Sequence, residues 1–328
     1  DRCSLRCSYC MPDHPAHAGR EEVLSYEEID RLVGVAVALG WTKVRLTGGE
    51  PLVRKDLLDL VARLGRRKQS PNDGPRLEQL AMTTNAVLLA HHATALRAAG
   101  LDRVNVSLDT LVPERFRRIT GQDRLAEVLA GIEAAAQAGL HPVKLNTVLI
   151  KGSTEDEVPG FVDLARSRPV DVRFIEFMPF EGNGWSRDQV LCSGEIRTAI
   201  EARDPLNPVD APRDGGPAST FSAPGWAGSV SFISPITDRA FCARCNRVRL
   251  TSEGKLRGCL LSENEIDLRE AMRRGAADTA LADLFRRAIR LKPQEHPYHR
   301  EIEEGRGAGP GGRGGHPSVG GGKAGAGF

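Results

Sequence analysis

The chain has 328 residues, 40% hydrophobic and 27% charged, which is the composition of a globular protein with its own core rather than of a disordered chain. Its 45 Lys and Arg residues against 43 Asp and Glu residues give a formal charge of +2, which argues against a surface built as a whole for nucleic acid. No stretch approaches the roughly 18 apolar residues of a membrane-spanning helix, and no signal peptide follows Asp1. Because the first residue is Asp1 and not Met, we expect the chain to be part of a longer one.

From Ser25 onward, helix and strand patterns alternate. Ser25 and Glu28 form a capping box, and apolar residues at helical spacing follow until Gly40. The elements predicted after this helix are strand 43–47, helix 57–64, strand 80–84, helix 87–99, strand 103–108, helix 125–138, strand 143–150, helix 156–166 and strand 170–177. Strands separated by helices indicate βαβ units and a parallel sheet. A β/α barrel and a doubly wound sheet both place ligands at the strand ends, so alternation alone leaves both folds open.

The second half of the chain is less regular. Residues 204–228 carry repeated prolines and glycines, which predicts an irregular linker. The charged stretch 263–291 predicts helix. In 305–328, 12 of 24 residues are glycine, and such a tail buries too little apolar surface to become ordered, so we expect disorder there.

Six of the seven cysteines fall into two groups of three. The first group is Cys3, Cys7 and Cys10, and the second is Cys242, Cys245 and Cys259; only Cys192 stands apart. Seven cysteines are too few for a disulfide scaffold in a chain of this length. Without a secretory signal, we expect a cytoplasmic protein in which these two groups bind a metal or a cluster.

The first group has the spacing C-x3-C-x2-C, with three ligands in one tight loop. Structural zinc sites favour paired C-x2-C arms and four ligands, so zinc with His14 or His17 as fourth ligand is a minor alternative. A [4Fe–4S] cluster held by three thiolates leaves one iron without a protein ligand, free to chelate a small molecule. The second group, C-x2-C-x13-C, allows a second such cluster or a zinc ribbon that lacks a ligand.

The segment Cys3–Met11 resembles the signature of the radical S-adenosylmethionine (SAM) enzymes, and Thr47–Pro51 resembles their Gly-Gly-Glu-Pro segment. The resemblance implies a partial (β/α)6 barrel of the TIM type whose first strand precedes Asp1. It also implies SAM on the open iron of the first cluster. One electron from that cluster then cleaves SAM to a 5′-deoxyadenosyl radical, so no protein side chain is expected to carry the chemistry.

Both cysteine groups together resemble one branch of that superfamily, the GTP 3′,8-cyclases that begin molybdenum-cofactor biosynthesis. The runs that carry the resemblance extend from Asp1 to about Leu291 and include 43–51, 83–85, 105–109, 173–179 and 241–260. The resemblance implies GTP as substrate, SAM as radical source and two [4Fe–4S] clusters, the second of which binds the guanine. It further implies hydrogen abstraction from ribose C3′, attack on guanine C8, an external electron donor, and transfer of the product to cyclic pyranopterin monophosphate synthase. Homodimer formation is left open.

Site residues follow from the resemblance position by position. Ligands of the SAM cluster are expected at Cys3, Cys7 and Cys10, and ligands of the substrate cluster at Cys242, Cys245 and Cys259. Contacts to SAM are expected from Tyr9, Gly49, Ser107 and Met178. Contacts to GTP are expected from Arg45, Thr83, Lys144, Arg247, Val248 and Arg249. Arg247 and Arg249 lie two apart, so on a strand they face the same way and suit phosphate oxygens.

The resemblance also implies a domain division: a radical SAM barrel in 1–203, a linker in 204–228, a C-terminal cluster-binding region in 229–304 and a tail in 305–328. Three departures are visible. Ala86 stands where the family has Gly, the strand with a further GTP-binding Arg is absent, and no Gly-Gly pair ends the chain. The alternatives are a radical SAM peptide-modifying enzyme with auxiliary clusters and a zinc-binding nucleic-acid module. The nucleic-acid module is poorly supported, because only 5% of the residues are aromatic and few rings are therefore present for base stacking.

Overall fold

A computed structural model describes residues 2–10, 18–69, 74–180, 183–209 and 216–295. The helices are α1 (Tyr26–Ala38), α2 (Leu57–Arg66), α3 (Leu89–Ala98), α4 (Pro113–Thr120), α5 (Leu125–Gln137), α6 (Val158–Ser167), α7 (Ser193–Glu201), α8 (Leu268–Arg273) and α9 (Asp278–Arg290). The strands are β1 (Lys43–Leu46), β2 (Gln79–Thr84), β3 (Arg103–Ser107), β4 (Val143–Leu149), β5 (Val170–Glu176), β6 (Asn207–Pro208), β7 (Ser219–Ser222), β8 (Ser229–Ile233), β9 (Arg249–Leu250), β10 (Lys255–Arg257) and β11 (Glu265–Asp267). Within these ranges no helix is both long and apolar enough to cross a bilayer. The expected disorder of 305–328 concerns residues outside the described ranges.

Six parallel strands form the main sheet, in the order β1-β2-β3-β4-β5-β8. Neighbours β1 to β5 follow one another in chain order, so every crossover between them runs in the same direction. Right-handed crossovers in one direction place the helices on one face of the sheet. A doubly wound sheet instead reverses its order and carries helices on both faces. The fold is therefore the partial β/α barrel, and the face without helices lines its lumen.

The sheet continues into the region that we expected to be an irregular linker. The five strands expected before Met178 are confirmed as β1 to β5. Within 204–228, however, β6 and β7 extend the sheet in antiparallel pairing. Directly after this segment, β8 supplies the sixth parallel strand next to β5. The expectation of irregular structure is wrong for β6 and β7, because their short alternating pattern is interrupted by prolines and glycines. The sheet thus runs across the expected boundary at 203.

Helix α1 separates two apolar cores and fixes the C-terminal part of the chain against the barrel. Its expected capping box is present: Glu28 N donates to Ser25 Oγ at 3.2 Å, and Ser25 N donates to Glu28 Oε2 at 2.8 Å. Val33 and Val37 pack into the barrel core. The opposite side of the helix packs on α8 and α9, with Trp41 edge-on to Phe285 at 5.3 Å between ring centroids.

Glu176, at the carboxyl end of β5, holds the segment that leads to the second cysteine group. The carboxylate is 2% exposed. It accepts hydrogen bonds from Ile236 N at 2.9 Å and Thr237 N at 3.0 Å, and a further one from the Thr237 hydroxyl. Charge-assisted hydrogen bonds to backbone N–H groups are strong when buried. The path of the chain toward Cys242 is therefore fixed from the barrel end.

Candidate functional site

The first cysteine group lies on the carboxyl end of β1, where a glycine permits close backbone contact. Glu50 N donates to Arg2 O at 2.7 Å. A Cβ atom on Gly49 would lie 2.1 Å from Arg2 O and 3.2 Å from Cys3 Cβ. Any larger side chain at this position would therefore push the cysteine loop away from the barrel.

The same loop contacts the ends of the next two strands. After β2, Asn85 Nδ2 lies 3.6 Å from Cys3 Sγ. After β3, the buried Asp109 accepts a hydrogen bond from Tyr9 OH at 2.5 Å and another from Val148 N at 2.9 Å. The loop thus occupies the end of the barrel at which β/α barrels carry their active groups.

Helix α4, which the sequence analysis did not predict, supports the loop from outside the barrel. Arg6 N donates to Thr120 O and Ser8 N to Ile119 O, both at 2.9 Å. The last carbonyl groups of a helix lack partners within the helix, so the loop satisfies two of them here. Pro113 at the helix start and Gly121 just past its end, with φ of 71°, were the signals that could have revealed this helix.

The three thiols of this loop are close enough to influence one another. Burial, the largest cause, raises the pKa of each: that of Cys10 to about 11, and those of Cys3 and Cys7 above their usual value. The charges of Asp109, Cys10 and Cys3 raise the pKa of Cys7 further, and those of Cys3 and Asp109 raise that of Cys10. Three partly buried thiolates repel one another unless a cation binds them, so the donor set fits an iron–sulfur cluster.

No group of three His, Cys, Asp or Glu side chains in the described ranges converges to hold a single metal ion. In a cubane cluster each thiolate binds a different iron, so its ligands surround the cluster rather than meet at one ion. The arrangement around Cys3, Cys7 and Cys10 therefore remains compatible with a cluster.

The barrel lumen is lined by polar and charged side chains from adjacent strands. The β-sheet register places Thr83 beside Asn105, Asn105 beside Lys144, and Lys144 beside Asp171. Paired residues of neighbouring parallel strands point to the same face, so these four side chains form one level of the lumen. Arg173, two residues beyond Asp171 on β5, faces the same way.

Asp171 forms ion pairs with two of the lumen cations. Its Oδ2 accepts from Arg173 Nε at 2.7 Å and from Lys144 Nζ at 3.1 Å, and its Oδ1 accepts from Ser231 Oγ at 2.6 Å. Although burial, the largest influence, opposes ionisation, Arg173 and Lys144 hold the pKa of this carboxyl below its usual value. Asp171 is therefore ionised and fixes the position of both cations.

Arginines from the two halves of the chain converge on the same space. Burial, followed by the charges of Arg103, Arg247, Arg173 and Arg249, lowers the pKa of Arg45 to about 9. Burial and Arg247 likewise lower the pKa of Arg249 to about 10. At neutral pH these groups remain protonated and repel one another. A bound anion would offset the repulsion within this concentration of buried positive charge.

Several buried polar atoms in this region have no hydrogen-bond partner within the described part of the chain. They are Arg45 Nε, Arg247 Nε, Asn105 Nδ2 and Asn146 Oδ1. A buried donor without a partner costs about 1–3 kcal/mol, so native structures retain one chiefly where a ligand or water meets it. Two of the four atoms belong to arginines that the sequence had assigned to the substrate.

The second cysteine group begins after a short 3-10 helix, Arg239–Phe241, whose N-cap Asp238 accepts from Ala240 N at 2.9 Å. Cys245 N donates to Cys242 O at 3.0 Å, which closes the C-x2-C turn. Burial opposes ionisation of the Cys245 thiol, but hydrogen bonding and charge from Arg247, together with Lys292, bring its pKa below the usual value. A thiolate stabilised in this way is suited to ligate a metal.

Arg249 connects this group with the lumen. The charges of Cys245 and Cys259 act on its guanidinium, and its own charge acts on Arg45. Val248, between the two arginines, packs against the apolar core of α8 and α9 instead. We therefore expect only the backbone of Val248 to reach a substrate.

Of the residues expected to contact SAM, Tyr9 belongs to the first cysteine loop, and Gly49 and Met178 pack against that loop. Met178 is buried in a small apolar cluster to which Tyr9 also contributes. Ser107 ends β3 and pairs in register with Asn146. Gly49 directly contacts the cysteine loop, as described above. Ala86, which replaces the family's Gly, has a φ of 63° and is buried, so the left-handed turn forms without glycine.

Three charged lumen residues, Arg103, Asp171 and Arg173, had no role assigned from the sequence. Arg103 donates to Asn105 Oδ1 at 2.8 Å and to Gln79 Oε1 at 3.0 Å, and Arg173 pairs with Asp171. The signal that could have found them is the alternation of charged residues in otherwise apolar strands, which marks a polar face of the sheet.

Comparison with known proteins agrees with this arrangement. Residues 1–165 match the family model of the Radical SAM superfamily, and residues 170–298 match that of Molybdenum Cofactor Synthesis C. A GTP 3′,8-cyclase of Heliobacterium modesticaldum is 48% identical over 300 residues, covering 90% of this chain and 89% of that protein. The mitochondrial GTP 3′,8-cyclase of Arabidopsis thaliana is 40% identical over 299 residues, covering 90% of this chain and 74% of that protein.

Among solved structures, Streptococcus suis SuiB bound to S-adenosylmethionine is similar in fold. The TM-score is 0.58 at 14% identity, with 92% of this chain and 65% of that chain covered. At this identity the similarity concerns the fold, and it supports the partial barrel derived from the strand order.

The contact of Gly49 with the cysteine loop yields a prediction. Gly49→Ala should displace Arg2 and Cys3, because the new methyl group would overlap a backbone carbonyl. We expect anaerobically reconstituted Gly49→Ala to lose about half of the iron, the part bound by the first group, as Cys3→Ala should. Gly194→Ala, where no atom lies within 4 Å of the new Cβ, is the control and should keep all of it. Full iron content in Gly49→Ala would show that this contact does not position the loop.

Proposed function

Because the chain belongs to the GTP 3′,8-cyclases within the radical SAM superfamily, we propose that it converts GTP to 3′,8-cyclo-7,8-dihydroguanosine 5′-triphosphate, the first step of molybdenum-cofactor biosynthesis. The observation that carries this proposal is the convergence of cations from both halves of the chain on one lumen. At the carboxyl ends of its strands, that lumen borders the first cysteine group. Arg249 connects the lumen with the second cysteine group.

A triphosphate matches the charge of this lumen. It carries about four negative charges at neutral pH. Arg45, Lys144, Arg247 and Arg249 provide the complementary charge, and Arg45 and Arg247 each have a buried Nε without a partner in the described ranges. Charge-assisted hydrogen bonds from guanidinium groups to phosphate oxygens would satisfy these donors.

The remaining residues orient the other parts of the substrate and cofactor. Thr83 lies on the same level of the lumen as Lys144, which supports its assignment to the nucleotide. The backbone of Val248 is assigned to the nucleotide as well. Tyr9, Gly49, Ser107 and Met178 surround the first cysteine loop and are assigned to SAM. The triphosphate site would thus hold the ribose between the two cysteine groups.

The cofactors are SAM and two [4Fe–4S] clusters. Cys3, Cys7 and Cys10 would hold one cluster, and Cys242, Cys245 and Cys259 the other. When bound, they supply the electron and the adenosyl radical for the reaction. The protein's own residues bind and orient the nucleotide and exclude water from the buried lumen.

The wider context is part of the proposal. A cytoplasmic location, an external electron donor and transfer of the product to cyclic pyranopterin monophosphate synthase follow from the family, and homodimer formation is left open. We propose that 204–228 separates the radical SAM part of the chain (1–203) from the cluster-binding part (229–304) in function, although the sheet is continuous across this segment. A peptide substrate would leave the lumen arginines without an anion, and a zinc-binding nucleic-acid module would leave the first cysteine group without a role.

Arg249 provides the most direct test of the triphosphate site. Arg249→Ala removes a charge-assisted contact, which costs about 1.5–3 kcal/mol, or roughly 10- to 150-fold in affinity. Isothermal titration under anaerobic conditions should show this loss for GTP. Guanosine lacks the phosphates, so it should bind poorly to the parent protein and lose little more in the variant. Equal losses for both ligands, or none for GTP, would contradict the assignment and favour the peptide-modifying alternative.

The ionisation of Lys144 predicts how GTP binding depends on pH. Burial, with Arg173 adding to it, lowers the pKa of Lys144 to about 8. Bound triphosphate favours the charged ammonium and raises this pKa, so binding takes up a proton above pH 8. Affinity should then be full below that pH and fall by up to about tenfold per pH unit above it.

Lys144→Arg is the matched variant for this measurement, since a guanidinium starts from a pKa about two units or more above that of an ammonium and stays protonated to a higher pH in the same surroundings. Titration of the guanine base and of the neighbouring arginines affects both proteins alike and cancels in the comparison. GTP affinities measured from pH 7 to 9.5 should diverge, with the parent weakening more steeply than Lys144→Arg. Parallel curves would show that Lys144 does not face the phosphates.

A further inference from the structure

Lys292, just beyond the end of α9, contacts the loop of the second cysteine group. Its Nζ donates to Cys245 O at 2.5 Å and to Arg247 O at 3.0 Å. The same Nζ lies 3.5 Å from Cys245 Sγ. One ammonium group therefore binds two carbonyl groups of the loop and approaches the sulfur of a cysteine assigned to the cluster.

The backbone of Lys292 also contacts the other segment of this group. Gly258 directly precedes Cys259. A Cβ atom on Gly258 would lie 3.2 Å from Lys292 Cα, 3.1 Å from Lys292 Cβ and 3.1 Å from Ala288 O. The Cys259 segment thus packs closely on the end of α9, and Lys292 touches both segments that carry the three cysteines.

The position of Lys292 is set by the apolar core and does not depend on the cysteine loop. Leu281, Phe285 and Ala288 of α9 are each at most 3% exposed and pack against α1. Lys292 N donates to Ile289 O at 3.1 Å, so the residue continues directly from the helix end. A lysine anchored in this way can orient the loop that it contacts.

We propose that Lys292 is a positioning residue of the auxiliary cluster, which holds the Cys245 loop in place and raises the reduction potential of the cluster through its charge and its N–H donor. The proposal rests on the assignment of Cys242, Cys245 and Cys259 as ligands under the proposed function. Hydrogen bonds to ligand sulfurs and the net charge around a cluster set its potential, and outer contacts orient the ligands. A positive charge beside the sulfur stabilises the reduced, more negative cluster.

If Lys292 served only as a contact at the end of the helix, its substitution would have a different effect. Its loss would lower the melting temperature but would leave the potential of the auxiliary cluster unchanged. The potential therefore separates a structural role from the proposed one, and it can be read without turnover of GTP.

The experiment compares Lys292→Met, Lys292→Arg and Arg290→Met in the full chain reconstituted with both clusters. Redox titrations followed by electron paramagnetic resonance give the potential of each cluster. We expect Lys292→Met to shift only the auxiliary potential to a more negative value, and Lys292→Arg to restore most of it. Arg290 is exposed on α9 two residues away, so Arg290→Met removes the same charge without the contact and should cause no shift.

An unshifted auxiliary potential in Lys292→Met, or an equal shift in Arg290→Met, would overturn the proposal. If Lys292→Met loses the auxiliary iron, the potential is measured in Lys292→Gln instead. This variant keeps an N–H donor for the two carbonyl groups but lacks the charge, so its auxiliary potential should again be more negative. Failure of the proposed function is distinguishable. A parent protein that does not cyclise GTP would contradict the proposed function, whereas a parent that holds no second cluster, and in which Cys245→Ala leaves the iron content unchanged, would contradict the ligand assignment on which this proposal rests.

Discussion

The repulsion among buried cations in the barrel lumen is the constraint on which the rest of the structure depends. Burial, the largest cause, and the charges of neighbouring arginines lower the pKa of Arg45, Arg103 and Arg249. Asp171 compensates part of this charge by pairing with Lys144 and Arg173. An uncompensated buried charge costs several kcal/mol, so the fold retains this arrangement at the expense of stability. A bound polyanion removes that cost, which makes the lumen a binding site rather than a core.

The fold brings these cations and both cysteine groups together. Sequential parallel strands leave one face free of helices, and the side chains of that face form the lumen. The carboxyl ends of β1 to β3 hold the first cysteine group, with α4 supporting it from outside. Helix α1 packs the C-terminal part of the chain against the barrel, so that Arg247 and Arg249 reach the lumen from the second group. Neither half of the chain forms this site without the other.

Local patterns in the sequence predicted much of this fold. They did not predict which strands pair when the strands lie far apart in the chain. The capping box at Ser25 and the five strands before Met178 rest on neighbouring residues, and they are confirmed. Helix α4 was missed because it is only 8 residues long and contains few apolar residues. Strand β8 was missed because its pairing with β5 spans a proline-rich segment. The assignment of Arg45, Lys144, Arg247 and Arg249 to the substrate came from the family resemblance and stays a prediction. Arg103, Asp171 and Lys292 became visible only once the register and the packing of α9 were known.

The central claim is that the lumen holds the triphosphate so that ribose C3′ faces the first cysteine group. GTP deuterated at C3′ tests this claim most directly, because the abstracted atom is carried into 5′-deoxyadenosine. Mass spectrometry of the 5′-deoxyadenosine formed under anaerobic turnover should show one deuterium from this substrate. No deuterium should appear when the label is placed at C2′. Turnover that yields unlabelled 5′-deoxyadenosine from the C3′-labelled substrate would contradict the account.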